Sequence, residues 1–124
     1  MSRKMIVKLS DGSSPILSEV PADNEEQLQE LLKDNPDLIP VDEFGMTGPL
    51  MVVGRETTLP SGVVDLVAIA RSGEVLLVEF KTGPQNTDFR GVLAQLLDYG
   101  SDLWEMTYDR FEREVALRFF ESDY

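Results

Sequence analysis

Residues 62–81 read GVVDLVAIARSGEVLLVEFK, and this stretch decides the fold. Val63 to Ala70 is almost continuously apolar, broken only by Asp65. Glu74 to Lys81 is apolar again, broken at Glu79 and Lys81, and Arg71-Ser72-Gly73 separates the two runs. Short apolar runs on either side of a Gly-bearing turn predict a β-hairpin whose strands are covered on both faces. Loop length then sets the register. A three-residue loop with Gly73 in the left-handed position pairs Ala70 with Glu74 and sets Asp65 opposite Glu79, on one face. A two-residue loop, Ser72-Gly73, would set Asp65 against Phe80 instead. The spacing favours the three-residue loop.

This register concentrates charge. Residues two apart on a strand share a face, so Glu79 and Lys81 project side by side. Asp65 joins them from the partner strand. Charges on an otherwise apolar strand must be paired or put to use. Two neighbouring carboxylates repel unless a cation lies between them, and carboxylates with open water positions suit Mg²⁺ or Mn²⁺. The plainer alternative is an ion-pair cluster in which Lys81 satisfies Asp65 and Glu79 at a solvated strand end.

Working outward, Leu50 to Thr57 reads as a further strand, ended by the turn Leu59-Pro60-Ser61-Gly62. Before it, Asn24 reads as the cap of a helix with Glu25 and Glu26 in its first turn. Leu28, Leu31 and Leu32 form that helix's apolar stripe, and Asn35-Pro36 stops it. Residues 1–23 are expected to be a hairpin extension, with Met5, Val7 and Leu9 alternating, a turn at Asp11-Gly12-Ser13-Ser14, and a return over Ile16 to Val20. After the Gly83-Pro84 break, Thr87 is the expected cap of a helix to about Leu103. Its predicted apolar face is Phe89, Val92, Leu93, Leu96 and Leu103, with Gly100 inside it. Thr107 caps a last helix with Tyr108, Phe111, Val115 and Phe119 on one stripe. Val115 to Phe120 also alternates at period two, but a helix is the favoured reading.

Composition narrows the chemistry. The chain has 124 residues, no His and no Cys. Nucleophilic triads and dyads that use His or Cys are excluded, as are zinc sites built from those residues. No apolar run reaches the roughly 18 residues of a membrane span, and Met1-Ser2-Arg3-Lys4 leads into no signal-peptide core, so a cytoplasmic protein is expected. The formal net charge is −12, from 11 basic and 23 acidic residues.

Gly62-Val-Val-Asp65-Leu-Val, then Val78-Glu79-Phe80-Lys81, then Gln95-Leu-Leu-Asp-Tyr99 resembles the PD-(D/E)XK nuclease superfamily, closest to its NucS/EndoMS-like branch of DNA endonucleases. The resemblance spans roughly residues 24–103. It implies an α/β (α+β) restriction-endonuclease-like core: a central mixed β-sheet flanked by helices, in the order αβββα, with the family's last core strand not evident here. It makes Asp65, Glu79, Lys81 and Gln95 catalytic. Asp65, Glu79 and the Phe80 carbonyl would bind Mg²⁺ or Mn²⁺. Tyr99 supports Gln95 from one turn on. Glu25, or alternatively Glu26, fills the role of an acidic residue on the first helix. The Pro of the family name is absent, since Val64 precedes Asp65.

The implied activity is metal-dependent endonucleolytic hydrolysis of DNA, in repair or defence. Residues 24–124 would be the nuclease-like domain and the N-terminal part of a longer protein. The strongly negative charge is awkward for a DNA enzyme, because phosphate contacts need Lys and Arg. Lys33, Arg55, Lys81 and Arg90 are the cations expected near the cleft. A missing C-terminal domain or a homodimer would supply more. The competing reading, favoured by the charge, is a non-catalytic nuclease-like module that binds nucleic acid or a protein partner. Trp104, Tyr108, Phe111 and Phe119 would form an interface or, more simply, core.

Overall fold

The computed structural model describes residues 4–18, 24–81 and 89–122, with the Phe89 side chain left aside. Its centre is an antiparallel sheet in the order β3-β4-β5, formed by β3 (Leu50–Leu59), β4 (Gly62–Ala70) and β5 (Val75–Val78). β1 (Lys4–Ile6) and β2 (Ile16–Ser18) form a separate two-stranded ribbon with Ile6 opposite Ile16. The helices are α1 (Glu25–Asp34), α2 (Phe89–Leu103), α3 (Tyr108–Phe111) and α4 (Leu117–Ser122), with a five-residue π turn at Glu112–Ala116 joining the last two. Two 3-10 turns, Pro36–Leu38 and Val41–Phe44, lead from α1 to β3.

The central hairpin has the register that the three-residue loop demands. Leu66 pairs with Val78, Val67 with Leu77, Ala68 with Leu76 and Ile69 with Val75. Ala70 N–H donates to the Glu74 carbonyl at 2.9 Å, and Gly73 has φ +103°, a conformation glycine adopts without strain. The β4 run is buried because the sheet is covered on both sides there, but the β5 run is only half-buried with Val75 exposed, because among the described residues β5 is an edge strand and not a central one. Val67, Ile69 and Leu77 pack with Tyr99, Leu103, Phe111 and Val115. On the other side Ala68, Ala70 and Leu76 pack with Ile39, Val41 and Met46. Val64, Leu66 and Val67 are almost wholly buried, and each contributes about 2 kcal/mol of hydrophobic stabilisation.

The structure corrects several expectations. The sheet is purely antiparallel among the described residues rather than mixed, because each pairing joins chain neighbours through a tight turn. The ladder of β5 ends at Val78, so Glu79, Phe80 and Lys81 follow the strand instead of lying within it. On α1 the buried side chain is Gln29, while Leu31 is exposed. On α2, Leu93 is exposed, and Val92, Leu96 and Leu103 turn inward with Tyr99. Gly100 lies within α2 and does not end it. The final stretch is helical, and the Thr107 side chain caps it by accepting from Arg110 N–H at 3.2 Å. Its aromatic stripe divides: Phe119 is buried and Phe111 half-buried, but Tyr108 and the preceding Trp104 are exposed. The Gly83-Pro84 break, the Thr87 cap and the end of the ribbon at Val20 lie outside the described residues.

Candidate active site

The end of the β4–β5 hairpin brings Asp65 and Glu79 together. The three-residue loop fixes the register, and the ladder stops one pair short of them. Their carboxylates then take over as acceptors. Phe80 N–H donates to Asp65 Oδ2 at 2.8 Å, and Asp65 N–H donates to Glu79 Oε1 at 3.2 Å. The Glu79 carboxylate is therefore anchored on β4 and the Asp65 carboxylate on the segment that follows β5, and both acids are half-buried. Phe80, between Glu79 and Lys81, is itself buried.

The electrostatic effect of this pairing falls on Glu79. Burial raises the Glu79 carboxyl above its ordinary value, and the neighbouring Asp65 charge raises it further. Lys81 pulls it down, but more weakly. Lys81 is exposed, two residues beyond Glu79, so its ammonium is open to a ligand.

α1 reaches the site through a residue that sequence reasoning missed. Gln29 Nε2 donates to Asp65 Oδ1 at 3.1 Å, and Gln29 Oε1 accepts from Arg55 Nε at 3.5 Å. Arg55 also forms an ion pair with Glu30. Gln29 is only 5 % exposed, so this bridge satisfies a buried amide at both ends. Two irregularities in β3 flank Arg55: a register shift between Val52 and Gly54, and a left-handed Glu56 at φ +46°. Glu25 lies one turn before Gln29, on the same helix face and half-buried, while Glu26 is exposed. A signal was present in this i, i+4 relation, but the Leu28, Leu31, Leu32 stripe pointed elsewhere.

α2 grips the turn that precedes Asp65. Ser61 N–H and Oγ both donate to the Asp102 carboxylate, at 2.8 and 2.9 Å. The buried Tyr99 hydroxyl donates to the Val63 carbonyl at 2.8 Å and accepts from Gln95 Nε2 at 3.0 Å. Gln95 is thus tied to Tyr99 and, through it, to the strand two residues before Asp65. Among the described residues its hydrogen bond goes to Tyr99 and not to either carboxylate.

The cations expected near the cleft divide. Lys33 pairs with Glu30 at 3.2 Å and Asp34 at 3.8 Å, and Arg55 pairs with Glu30. Arg90 and Lys81 are exposed.

The donor set suits a hard divalent cation. Two half-buried carboxylates already repel, and on Asp65 one oxygen takes a backbone N–H while the other takes an amide, so both are oriented. Among the described residues no group of three or more His, Cys, Asp or Glu side chains gathers to hold a metal. An ion here would therefore rest on the two acids, a backbone carbonyl and water, which is the coordination Mg²⁺ tolerates. No family model, curated protein or solved structure matches this chain.

Proposed function

We propose that this protein is a metal-dependent deoxyribonuclease, an endonuclease that hydrolyses DNA phosphodiester bonds with Mg²⁺ or Mn²⁺. The observation that carries the reading is the reciprocal anchoring of Asp65 and Glu79 at the end of the β4–β5 hairpin, with Lys81 exposed beside them. Asp65, Glu79 and the Phe80 carbonyl would hold the ion. Such an ion, when bound, supplies an acidified water and charge neutralisation at the phosphate. Lys81 then orients the attacking water or offsets negative charge developing on the phosphate oxygens. Gln29 fixes the rotamer of Asp65, and Tyr99 with Gln95 fixes the strand that carries it. The family resemblance over residues 24–103 supports the same assignment.

One observation favours the non-catalytic module. Lys33 and Arg55 are ion-paired with Glu30, and Lys33 also with Asp34, so neither meets a phosphate as an unpaired cation. Cleavage of single-stranded, duplex and branched DNA with Mg²⁺ or Mn²⁺, by the wild type beside Glu79→Ala and Lys81→Ala, separates the two. Metal-dependent cutting that Glu79→Ala abolishes, and that Lys81→Ala lowers by about 10²-fold or more, supports the enzyme. Binding without cutting supports the module.

A further inference from the structure

The Gln29 amide is bonded at both ends. Its Nε2 donates to Asp65 Oδ1 at 3.1 Å, and its Oε1 accepts from Arg55 Nε at 3.5 Å. The residue is 5 % exposed, so little water competes for either end. The two ends of an amide are nearly equal in size and opposite in character, since the NH₂ donates and the oxygen accepts. Turning the group about its last bond exchanges them. The end that faces Asp65 therefore decides what the carboxylate meets.

Without a cation, Asp65 itself selects the NH₂ end, because an amide oxygen in that place would face a carboxylate oxygen. A divalent cation on Asp65 reverses the preference, since it repels the NH₂ and attracts the oxygen. Arg55 opposes the turn. A turned amide would set its NH₂ against the guanidinium, donor against donor. The guanidinium is held in place by its ion pair with Glu30, and the Arg55 side chain is only 19 % exposed. β3 carries Arg55 opposite Leu66, one residue along β4 from Asp65.

We propose that Arg55 is a positioning residue that acts through Gln29 to set which divalent cation the site takes. By holding the Gln29 oxygen away from Asp65, it limits the protein oxygens at the site to the two acids and a backbone carbonyl. Such a sparse set suits Mg²⁺, which keeps several waters and demands octahedral geometry. Ca²⁺ gathers roughly six to eight oxygens, side-chain amide carbonyls among them, so it gains more from one further oxygen. The proposal rests on the reading that Asp65 and Glu79 hold a divalent cation, and it gives Arg55 a role other than phosphate binding.

Calorimetric titration of Mg²⁺ and of Ca²⁺ into the full chain reads the ratio of the two affinities without any activity. Arg55→Leu should shift that ratio toward Ca²⁺ by about tenfold or more. A mere loss of packing would lower both affinities alike and leave the ratio unchanged. Adding Gln29→Leu to Arg55→Leu should return the ratio to the wild-type value, at lower affinity for both ions, because no oxygen is left to turn. Arg55→Lys covers the case in which Arg55→Leu does not fold. It keeps the charge but cannot hold Glu30 and Gln29 in one planar fork, so it should shift the ratio in the same direction. With Mg²⁺ binding to wild type, an unchanged ratio in Arg55→Leu or a wild-type ratio in Arg55→Lys overturns the role of Arg55 and leaves the metal site standing. A ratio that stays shifted in the double variant places the effect outside Gln29 and overturns it as well. A wild type that binds neither ion removes the metal site itself, and this proposal with it.

Discussion

Asp65 and Glu79 are each held by the other's backbone segment: the Asp65 carboxylate accepts Phe80 N–H, and the Glu79 carboxylate accepts Asp65 N–H. The arrangement places two like charges at the frayed end of a hairpin, where an unpaired ladder would otherwise expose its N–H groups. The Asp65 N–H favours the ionised Glu79 carboxyl, while burial and the Asp65 charge oppose it. For Glu79 the opposing effects win, and its carboxyl is raised.

A pH dependence follows. A raised carboxyl takes up protons on folding, so the folded state gains stability from Glu79 below the unfolded value of 4.5 and loses it as pH rises through the folded value. Glu79→Gln keeps an oxygen for Asp65 N–H and removes the charge. It should therefore be more stable than wild type at pH 7, by about 1 kcal/mol or less after solvent screening of a half-exposed group, and melt correspondingly higher. The two should converge near pH 4. Thermal melts at several pH values check this, and a variant less stable than wild type at pH 7 would contradict the assigned repulsion.

A divalent cation should act in the same direction on the wild type alone. A ligand that binds only the folded form at about ten times its dissociation constant adds about 1.4 kcal/mol, or roughly 5 °C for a domain of this size. Titrating Mg²⁺ or Mn²⁺ into wild type, Asp65→Asn and Glu79→Gln should raise the first melting temperature and leave the other two unmoved. An unchanged wild type at saturating metal would count heavily against the site. Chelation should return the wild type to its starting value.

Gln29 gives a test that does not depend on activity. Gln29→Leu removes the donor to Asp65 Oδ1 and the acceptor for Arg55 Nε in a buried setting. The loss should cost about 1–3 kcal/mol in urea unfolding and should weaken the metal-induced rise in melting temperature. Gln29→Glu restores the acceptor but sets a third carboxylate beside Asp65, so its deficit should be larger without metal and shrink when metal is added. Equal deficits with and without metal would reduce Gln29 to a packing residue.

The parts of the fold written in local pattern were legible. The apolar runs, Gly73 and the loop length gave the hairpin and the Asp65–Glu79 register, because period-two patterning and turn chemistry are short-range signals. Asn24 and Thr107 were legible as caps for the same reason. What the sequence hid depends on three-dimensional neighbours. Gln29 looks like a surface amide until Asp65 and Arg55 surround it. The exposure of Leu31, Leu93 and Tyr108 reflects which helix faces the sheet can cover, and a three-stranded sheet covers little. The end of β5 at Val78 was invisible because Glu79-Phe80-Lys81 continues the alternation while its pairing is replaced by side-chain acceptors. That Lys33 and Arg55 are spent on Glu30 could not be read from spacing alone.

The Tyr99 contact sets the last expectation. The Tyr99 hydroxyl accepts from Gln95 and donates to the Val63 carbonyl, and it does so against Gly62. Gly62 has φ +147°, and a Cβ there would lie 3.2 Å from the Tyr99 hydroxyl oxygen. Gly62→Ala should therefore cost about 1–3 kcal/mol from backbone strain alone, with displacement of Tyr99 added. Tyr99→Phe keeps the ring in the core and removes only the hydrogen bonds. It leaves the Val63 carbonyl without that donor and should cost about 1–3 kcal/mol. The two changes act on one contact, so their effects should fall short of additive, and the double variant should be more stable than the sum predicts. Urea unfolding of the four proteins measures the coupling. Strict additivity would mean that Gly62 is required for its dihedral angle only, and that Tyr99 does not set the position of the strand leading into Asp65.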